Sequence, residues 1–536
     1  MASAGPGYVT HWPRRDELTR IAALNETLFG NSRLIGQFVL SADRSESPPG
    51  WLADRIGAWY LGRHPRLPAI RLMDKADQPV GWVLGYPISE DGVLLADGET
   101  LRVPAQATAS AIAFESFGYS FGGRFALVLL DGRYPRFYLD PFGSLSAVYC
   151  AHQRLVASTP NLIPYDDLSR DRVELGHAIG IPHTQGKYPF TMTPRYGVER
   201  ILPNHCLDLR DWRTIRHWPN ETLAEKPTVD DSVAEIATIV KRQIEAVVAA
   251  TPTYLPLTAG LDSRMLLACA RGVAARVELF TRAIGDRRSL IDCDTARRIA
   301  KRFRLRHLLL PMEEATDEDR EEWMFRIGYS TGECRGWRCA TMYKRLPGGH
   351  AVLTGNGGEV ARAYYWRADD TEATVITPER LVEHCECPLE EEPRARARAW
   401  LDAVPTANAF DILDLFMIEQ DMGGWAGVVQ YAECDPGFSM FPLCHQRVIQ
   451  RMLALPGAYR RSGQLPRDII TREWPDLLAW PINEPIGVTR LLLAAKRAIH
   501  RGKVALRRLG PRTRIHRATS GGNYRCQPRS GDTKGE

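Results

Sequence analysis

The chain has 536 residues, about three to four times the usual domain size, so two or more domains are expected and a small disulfide-stapled scaffold is excluded. Charged residues make up 25% and hydrophobic ones 44%, the balance of a soluble globular protein rather than of a disordered or fibrous chain. Lys plus Arg (69) exceed Asp plus Glu (64) by five, too small an excess for a dedicated nucleic-acid binder. The longest apolar runs, such as Phe125–Leu130 and Leu491–Ala495, fall far short of the roughly 20 residues that span a bilayer, so no membrane partner is expected. Met1–Arg20 lacks the basic start, apolar run and small-residue cleavage site of a signal peptide, which makes the cytoplasm the expected location. Eleven cysteines, without paired CxxC spacing, point to reduced, mostly buried thiols.

In chain order, residues 1–218 read as mainly β. Short apolar runs at Gly81–Ile88, Gly92–Gly98, Arg124–Gly132, Arg136–Asp140, Ala147–Ser158 and His205–Trp212 alternate with Gly, Pro and Asp, the spacing of strands joined by tight turns. Residues 219–495 change character. Val229–Ala250 carries apolar residues at helical spacing, with Asp230 and Ser232 as candidate caps. Then follow a strand (Tyr254–Leu257), a Gly turn, a helix (Ser263–Arg271), a strand (Ala275–Thr281), a helix (Asp292–Phe303) and a third apolar run (His307–Pro311). Strand and helix in alternation predict an α/β domain with a parallel sheet and crossover helices. Ala351–Thr354 reads as a further strand ending in a second Gly-rich turn, and several helices should fill Pro405–Arg460. Asp369–Arg398, acidic and then basic, reads as a solvated connection or helix face. Glu383-His384-Cys385-Glu386-Cys387 lacks the second half of a zinc site, so no structural zinc is expected. Residues 496–536 form a basic and then Gly/Ser-rich extension that is expected to fray.

The chemistry concentrates in Leu255–Ala268. A buried strand runs into Thr258-Ala259-Gly260-Leu261-Asp262-Ser263, and a helix starts at once. Small residues let backbone N–H groups approach a phosphate, hydroxyls add donors, and a helix N-terminus favours the anion. Asp262 can hold Mg²⁺. The turn is not a Walker A sequence, having no GxxxxGK[ST] and no Lys. It resembles the Ser-Gly-Gly-x-Asp-Ser phosphate loop of the asparagine synthetase family of N-type ATP pyrophosphatases, with Thr258 and Ala259 replacing the first Ser and Gly. Leu353-Thr354-Gly355-Asn356-Gly357-Gly358-Glu359 is similar to that family's second turn, Ser-Gly-Glu-Gly-x-Asp-Glu, and Glu359 falls on its metal-binding Asp.

The resemblance implies ATP on Leu257, Thr258, Ala259, Gly260, Leu261, Asp262, Ser263, Thr281, Gly355 and Gly357, and Mg²⁺ between Asp262 and Glu359. Asp262, Glu359 and Glu419 are the implied catalytic residues, Glu419-Gln420-Asp421-Met422 and Phe441-Pro442-Leu443 resembling the segments that line the acceptor side. Asn356 stands where the family has an acid that assists the amine, and an amide cannot take its proton. Cys444 stands in place of an Asp, and Trp480–Gly487 lacks the family's late Lys, for which Lys496 or Lys503 could substitute from the next helix. His307 reads as a packed or surface histidine rather than a site residue.

In the front portion, Gly123-Arg124-Phe125-Ala126, Asp131, Asp140-Pro141-Phe142-Gly143 and Tyr149 resemble the β core of the family's glutaminase (Ntn-type) sandwich domain. That domain needs a Cys directly after the initiator Met. Position 2 is Ala2 and the first cysteine is Cys150, so glutamine hydrolysis by that mechanism is not expected. The implied function is an ATP-dependent amide-forming ligase that activates a small-molecule or peptide carboxylate as an acyl-adenylate, releases pyrophosphate and transfers the acyl group to ammonia or a substrate amine. Two alternatives stay open: a macrolactam or β-lactam-forming cyclase, as in the family's β-lactam synthetase and lasso-peptide cyclase branches, and a catalytically impaired scaffold or binding protein. A nucleic-acid partner is disfavoured by the lack of aromatics interleaved in the basic tail, and a homo-oligomer is left open.

Overall fold

A computed structural model describes residues 34–42, 47–130, 133–164, 171–220, 227–332, 342, 345–346, 349–433, 437–487 and 489–491. Ala2, Asp131, Lys496 and Lys503 lie outside the described residues. The front portion carries β1 (Phe38–Ala42), β2 (Leu52–Ile56), β3 (Trp59–Arg63), β4 (Ala69–Met73), β5 (Pro79–Ile88), β6 (Thr100–Arg102), β7 (Gly122–Leu129), β8 (Arg136–Leu139), β9 (Val148–Cys150), β10 (Leu155–Ala157), β11 (Glu199–Arg200), β12 (His205–Asp208) and β13 (Arg213–Arg216). They form two sheets, ordered β11-β9-β10-β1-β3-β2 and β13-β12-β8-β7-β5-β4-β6. Neighbours are antiparallel except β4 and β6, which run parallel.

Alternation along the strands decides how these sheets pack. Phe38 and Leu40 of β1 meet Trp82 and Leu84 of β5 and Ala126 and Val128 of β7 in one core between the sheets, as residues two apart share a face. The other face of β5 and β7, with Val83, Phe125 and Leu127, packs with Phe114 of the Ala111–Gly118 helix. Covered on both sides, β7 is buried along its whole length, which is why it reads as a continuous apolar run rather than an alternating one. Gly92–Gly98 is not a strand: it turns, with only the isolated bridge Ile88↔Leu94, because turn-forming Gly92 and Gly98 take positive φ at both ends.

After the 22-residue helix Val229–Ala250 comes a five-stranded sheet. Its members are β14 (Thr253–Pro256), β15 (Val277–Ala283), β16 (His307–Pro311), β17 (Ala351–Leu353) and β18 (Phe438–Met440), in the order β16-β15-β14-β17-β18 and parallel throughout. The mixed α/β expectation and the parallel sheet are therefore observed. β14 is central: the chain moves outward through β15 and β16 on one side, then returns to lay β17 and β18 on the other. The order reverses between β14 and β17, and a crevice opens at the carboxyl ends of strands at such a point.

Several details differ from the sequence expectation. The cap of the Val229–Ala250 helix is Thr228, which accepts from the Asp231 N–H at 3.1 Å; Asp230 and Ser232 sit inside the first turn. A 3-10 stretch, Arg271–Arg276, separates the Leu261–Cys269 helix from β15. Asp286 caps the next helix, Arg287–Phe303, by accepting from Ser289 N–H at 2.7 Å, so it starts earlier than Asp292. The acidic-to-basic segment, expected as a solvated connection or helix face, takes the helical form. It holds helices Pro378–His384 and Glu391–Asp402, the second tied to the front portion by Arg172–Glu392 at 2.7 Å and Arg396–Glu199 at 2.6 Å. Of the seven cysteines among the described residues, all but Cys293 are buried. Among the described residues no helix is long and apolar enough to cross a membrane.

Candidate functional site

The first turn leaves the end of β14. Thr258 N–H donates to Ser263 Oγ at 3.0 Å, the two hydroxyls lie 2.7 Å apart, and Gly260 N–H donates to Thr258 Oγ1 at 3.1 Å. Ala259 N–H donates to Asp292 Oδ1 at 2.8 Å. The turn's own amides are thus engaged within the protein, and the Leu261–Cys269 helix begins at Gly260 with no side-chain cap. Its first-turn N–H groups carry the positive end of the helix dipole, and Asp262 and Ser263 of that turn line a cleft. Buried Arg264 fixes the loop from below, donating to the carbonyls of Ala259 at 2.9 Å, Trp480 at 2.8 Å and Pro481 at 2.7 Å. Burial brings its guanidinium down to about 10. Asn483 N–H closes the arrangement on the Ala259 carbonyl at 3.1 Å, so the late segment that lacks a Lys does pack against the first turn.

The second turn leaves β17. Gly357 has φ +96°, a conformation for which glycine is suited, and a Cβ there would lie 2.4 Å from the Phe142 ring of the front portion. Gly357 N–H donates to Glu359 Oε2 at 3.0 Å. A Cβ on Gly355 would come within 3.2 Å of Asp262 Cβ, so the two turns touch. Arg362 lies between their carboxylates. Its Nη2 is 3.2 Å from Asp262 Oδ2 and 3.0 Å from Glu359 Oε1. A 3-10 helix, Gly358–Arg362, places residues three apart on one side, which brings Arg362 over Glu359. Sequence reasoning missed this arginine, and the i, i+3 acid–base spacing is the signal that could have found it.

The electrostatics follow from that trio. Burial pushes the Glu359 carboxyl up and Asp262 adds to the rise, while Arg362 opposes it; the balance is raised. Burial pulls Arg362 down, but Asp262 and Glu359 more than offset this, and it is raised. Two buried polar atoms here have no hydrogen-bond partner among the described residues, Asp262 Oδ1 and Thr354 Oγ1. Buried groups of this kind are nearly always satisfied, so both are positions where a ligand atom would relieve a cost.

Thr258, Asp262, Ser263, Gly355, Asn356 and Glu359 line one cleft of about 340 Å³. Arg282 and Glu433 also line it, as does Trp425, whose buried indole N–H has no acceptor among the described residues. None of these three was singled out from sequence. Other expected binding residues do not reach the cleft with their side chains. Leu257 and Ala259 are fully buried. Thr281 is buried and donates to the Leu257 carbonyl at 2.7 Å, its hydroxyl also lying 2.8 Å from His307 Nε2. Gly260 and Leu261 form the helix start beside the cleft, and Gly357 shapes the turn.

Glu419 is placed elsewhere. It is fully buried in the π-helix Met417–Ala426, holding Arg216 through contacts of 2.6 and 2.9 Å and accepting from Trp400 Nε1 at 2.6 Å and Asn204 Nδ2 at 3.0 Å. Burial alone would raise its carboxyl, but Arg216 and the other partners bring it below the usual value. Its neighbours also face the front portion: Gln420 accepts from Phe190 N–H at 2.6 Å, and Asp421 pairs with buried Lys187 at 2.7 Å. Cys444 is likewise interior. Its thiol donates to Asp140 Oδ1 at 3.0 Å, and Asp140 also accepts from the N–H groups of Phe125, Phe142, Ser144 and Leu145 and from the Ser144 hydroxyl. Burial and then Asp140 push the thiol well up. An acid at 444 would face a buried carboxylate. In comparisons with known proteins, no protein-family model and no curated protein matches this chain.

Proposed function

We propose that the chain is an ATP-dependent amide-forming ligase of the asparagine synthetase type without glutaminase activity, its front sandwich a glutaminase-like domain and its parallel-sheet portion an ATP pyrophosphatase domain. The observation that carries this reading is the meeting of Asp262 and Glu359, from turns at the ends of adjacent strands β14 and β17, at a single nitrogen. Their oxygens form a donor set suited to a hard cation such as Mg²⁺, and the orphaned Asp262 Oδ1 fits a missing cation. When bound there, Mg²⁺ would supply neutralisation of phosphate charge.

The chain's own residues divide the remaining work. The first turn of the Leu261–Cys269 helix and the Thr258 and Ser263 hydroxyls receive phosphoryl oxygens. Arg282 adds positive charge to the wall on which pyrophosphate departs. A carboxylate oxygen of the substrate attacks the α-phosphorus of ATP and displaces pyrophosphate; the amine nitrogen then attacks the activated carbonyl carbon and AMP leaves. Asn356 can orient the amine but cannot take its proton. Glu433, the remaining carboxylate that lines the cleft, is the candidate acceptor.

The test is binding of a fluorescent ATP analogue with Mg²⁺, followed by pyrophosphate release with a panel of carboxylates and amines. Wild type should bind, and Asp262→Ala should lose both binding and release; a wild-type chain that fails to bind ATP would overturn the reading. One observation favours the binding-protein alternative: the amides of Thr258, Ala259 and Gly260 already have acceptors in the protein. ATP binding with no pyrophosphate release from any substrate pair would support that role.

A further inference from the structure

Resting on that reading, a second property follows from which oxygens Arg362 holds. Each carboxylate has one oxygen on the guanidinium, Asp262 Oδ2 and Glu359 Oε1, and both bonds go to the same Nη2, at 3.2 and 3.0 Å. Glu359 Oε2 is occupied by Gly357 N–H at 3.0 Å. A divalent ion that took an oxygen from each carboxylate could use the orphaned Asp262 Oδ1 but would need Glu359 Oε1, which Arg362 engages, and it would repel the guanidinium at that range. Both side chains are about a third exposed, 33% and 30%, so a solute can reach them. A separate sign that the cleft awaits a ligand is Thr354, more than nine-tenths buried and lining it, with its hydroxyl oxygen unpartnered among the described residues.

We propose that Arg362 is a built-in counter-ion of the two-carboxylate site, which a divalent cation must displace in order to bind. The freed guanidinium is then a donor to phosphoryl oxygens in the same cleft, a role its planar fork fits. Metal and triphosphate therefore bind together: alone, the cation meets a site already neutralised, while with phosphates present the arginine has somewhere to go. The side chain is thus a positioning residue whose first effect is on metal affinity rather than on bond making.

The experiment measures Mn²⁺ binding to the full chain without nucleotide, by the loss of the free-ion electron paramagnetic resonance signal. If Arg362 occupies the site in more than nine-tenths of molecules, removing it should tighten Mn²⁺ about tenfold or more. Arg362→Gln is expected to show that gain and a melting temperature that rises with Mn²⁺, while wild type and Arg362→Lys stay weak. Should Arg362→Gln not fold, Arg362→Met, which keeps the apolar stem and both carboxylates, must also bind Mn²⁺ more tightly than wild type. Equal or weaker binding by the folded variant overturns the proposal, as does tight Mn²⁺ binding by wild type alone. Because no ATP is used, this outcome is separate from success or failure of the ligase reading, which is decided by ATP binding.

Discussion

Glu419 and Glu359 are the same residue type, and both read from sequence as catalytic, yet the fold treats them in opposite ways. Glu419 is fully buried and is held by Arg216, Trp400 and Asn204 at 2.6–3.0 Å, and it titrates below the usual range. Glu359 is 30% exposed, shares one arginine nitrogen with a second carboxylate and titrates above it. The first carboxylate joins elements that lie far apart in the chain. The second is less fully compensated and borders a cleft. Charge at an interior position is thus informative about chemistry only once its partners are counted: full compensation marks architecture, and partial compensation marks a place where an incoming group would be welcome.

The largest effect should come from breaking the compensated side. Glu419→Gln leaves Arg216 buried without its counter-charge and should cost about 3–5 kcal/mol in urea unfolding. Its wild-type contribution is present above the unfolded carboxylate value of about 4.3 and is lost as pH falls through the depressed folded value. Next, Cys444→Asp sets a second carboxylate against Asp140, which is fully buried, and should cost on the order of 3 kcal/mol, seen as a lower urea midpoint. Gly357→Ala combines a strained φ with the 2.4 Å approach to Phe142 and should cost about 2 kcal/mol, with loss of ATP binding because the Glu359 turn shifts.

The smallest change sharpens the comparison by its sign. Glu359→Gln should alter stability by less than about 1 kcal/mol at neutral pH, and in the favourable direction. The folded carboxyl is raised, so wild type loses stability relative to the glutamine variant as pH rises through that raised value. Below about pH 4.3 the carboxyl is protonated in both states and the difference should vanish. Paired unfolding curves at acid and neutral pH would read this directly, and a variant less stable than wild type at neutral pH would erase the contrast with Glu419.

Much of the fold was legible because its signals are local. Helical spacing in Val229–Ala250 and strand-then-Gly patterns at Tyr254–Gly260 and Ala351–Gly355 lie within short windows, and the structure places elements there. Strands with weaker alternation escaped, β1 to β4 among them. So did β18, a three-residue strand with too few positions to show a period. The Glu419 segment was misleading for a different reason. Met417–Ala426 is π-helical, so an i→i+5 ladder replaces the 3.6-residue repeat that assigns faces, and the residue of this turn that reaches the cleft is Trp425.

The amino-acid sequence by itself determined the long helix Val229–Ala250, the alternating strands and helices that follow it, and the two glycine-containing turns that carry Asp262 and Glu359, since periodicity and turn chemistry depend on residues a few positions apart. Only the tertiary structure decided which acids are compensated and which face a cavity. The partners of Glu419 lie at 204, 216 and 400, and the thiol that completes Asp140 lies 304 positions away. Desolvation and charge pairing act through space over a few ångströms, and distance along the chain carries no record of them.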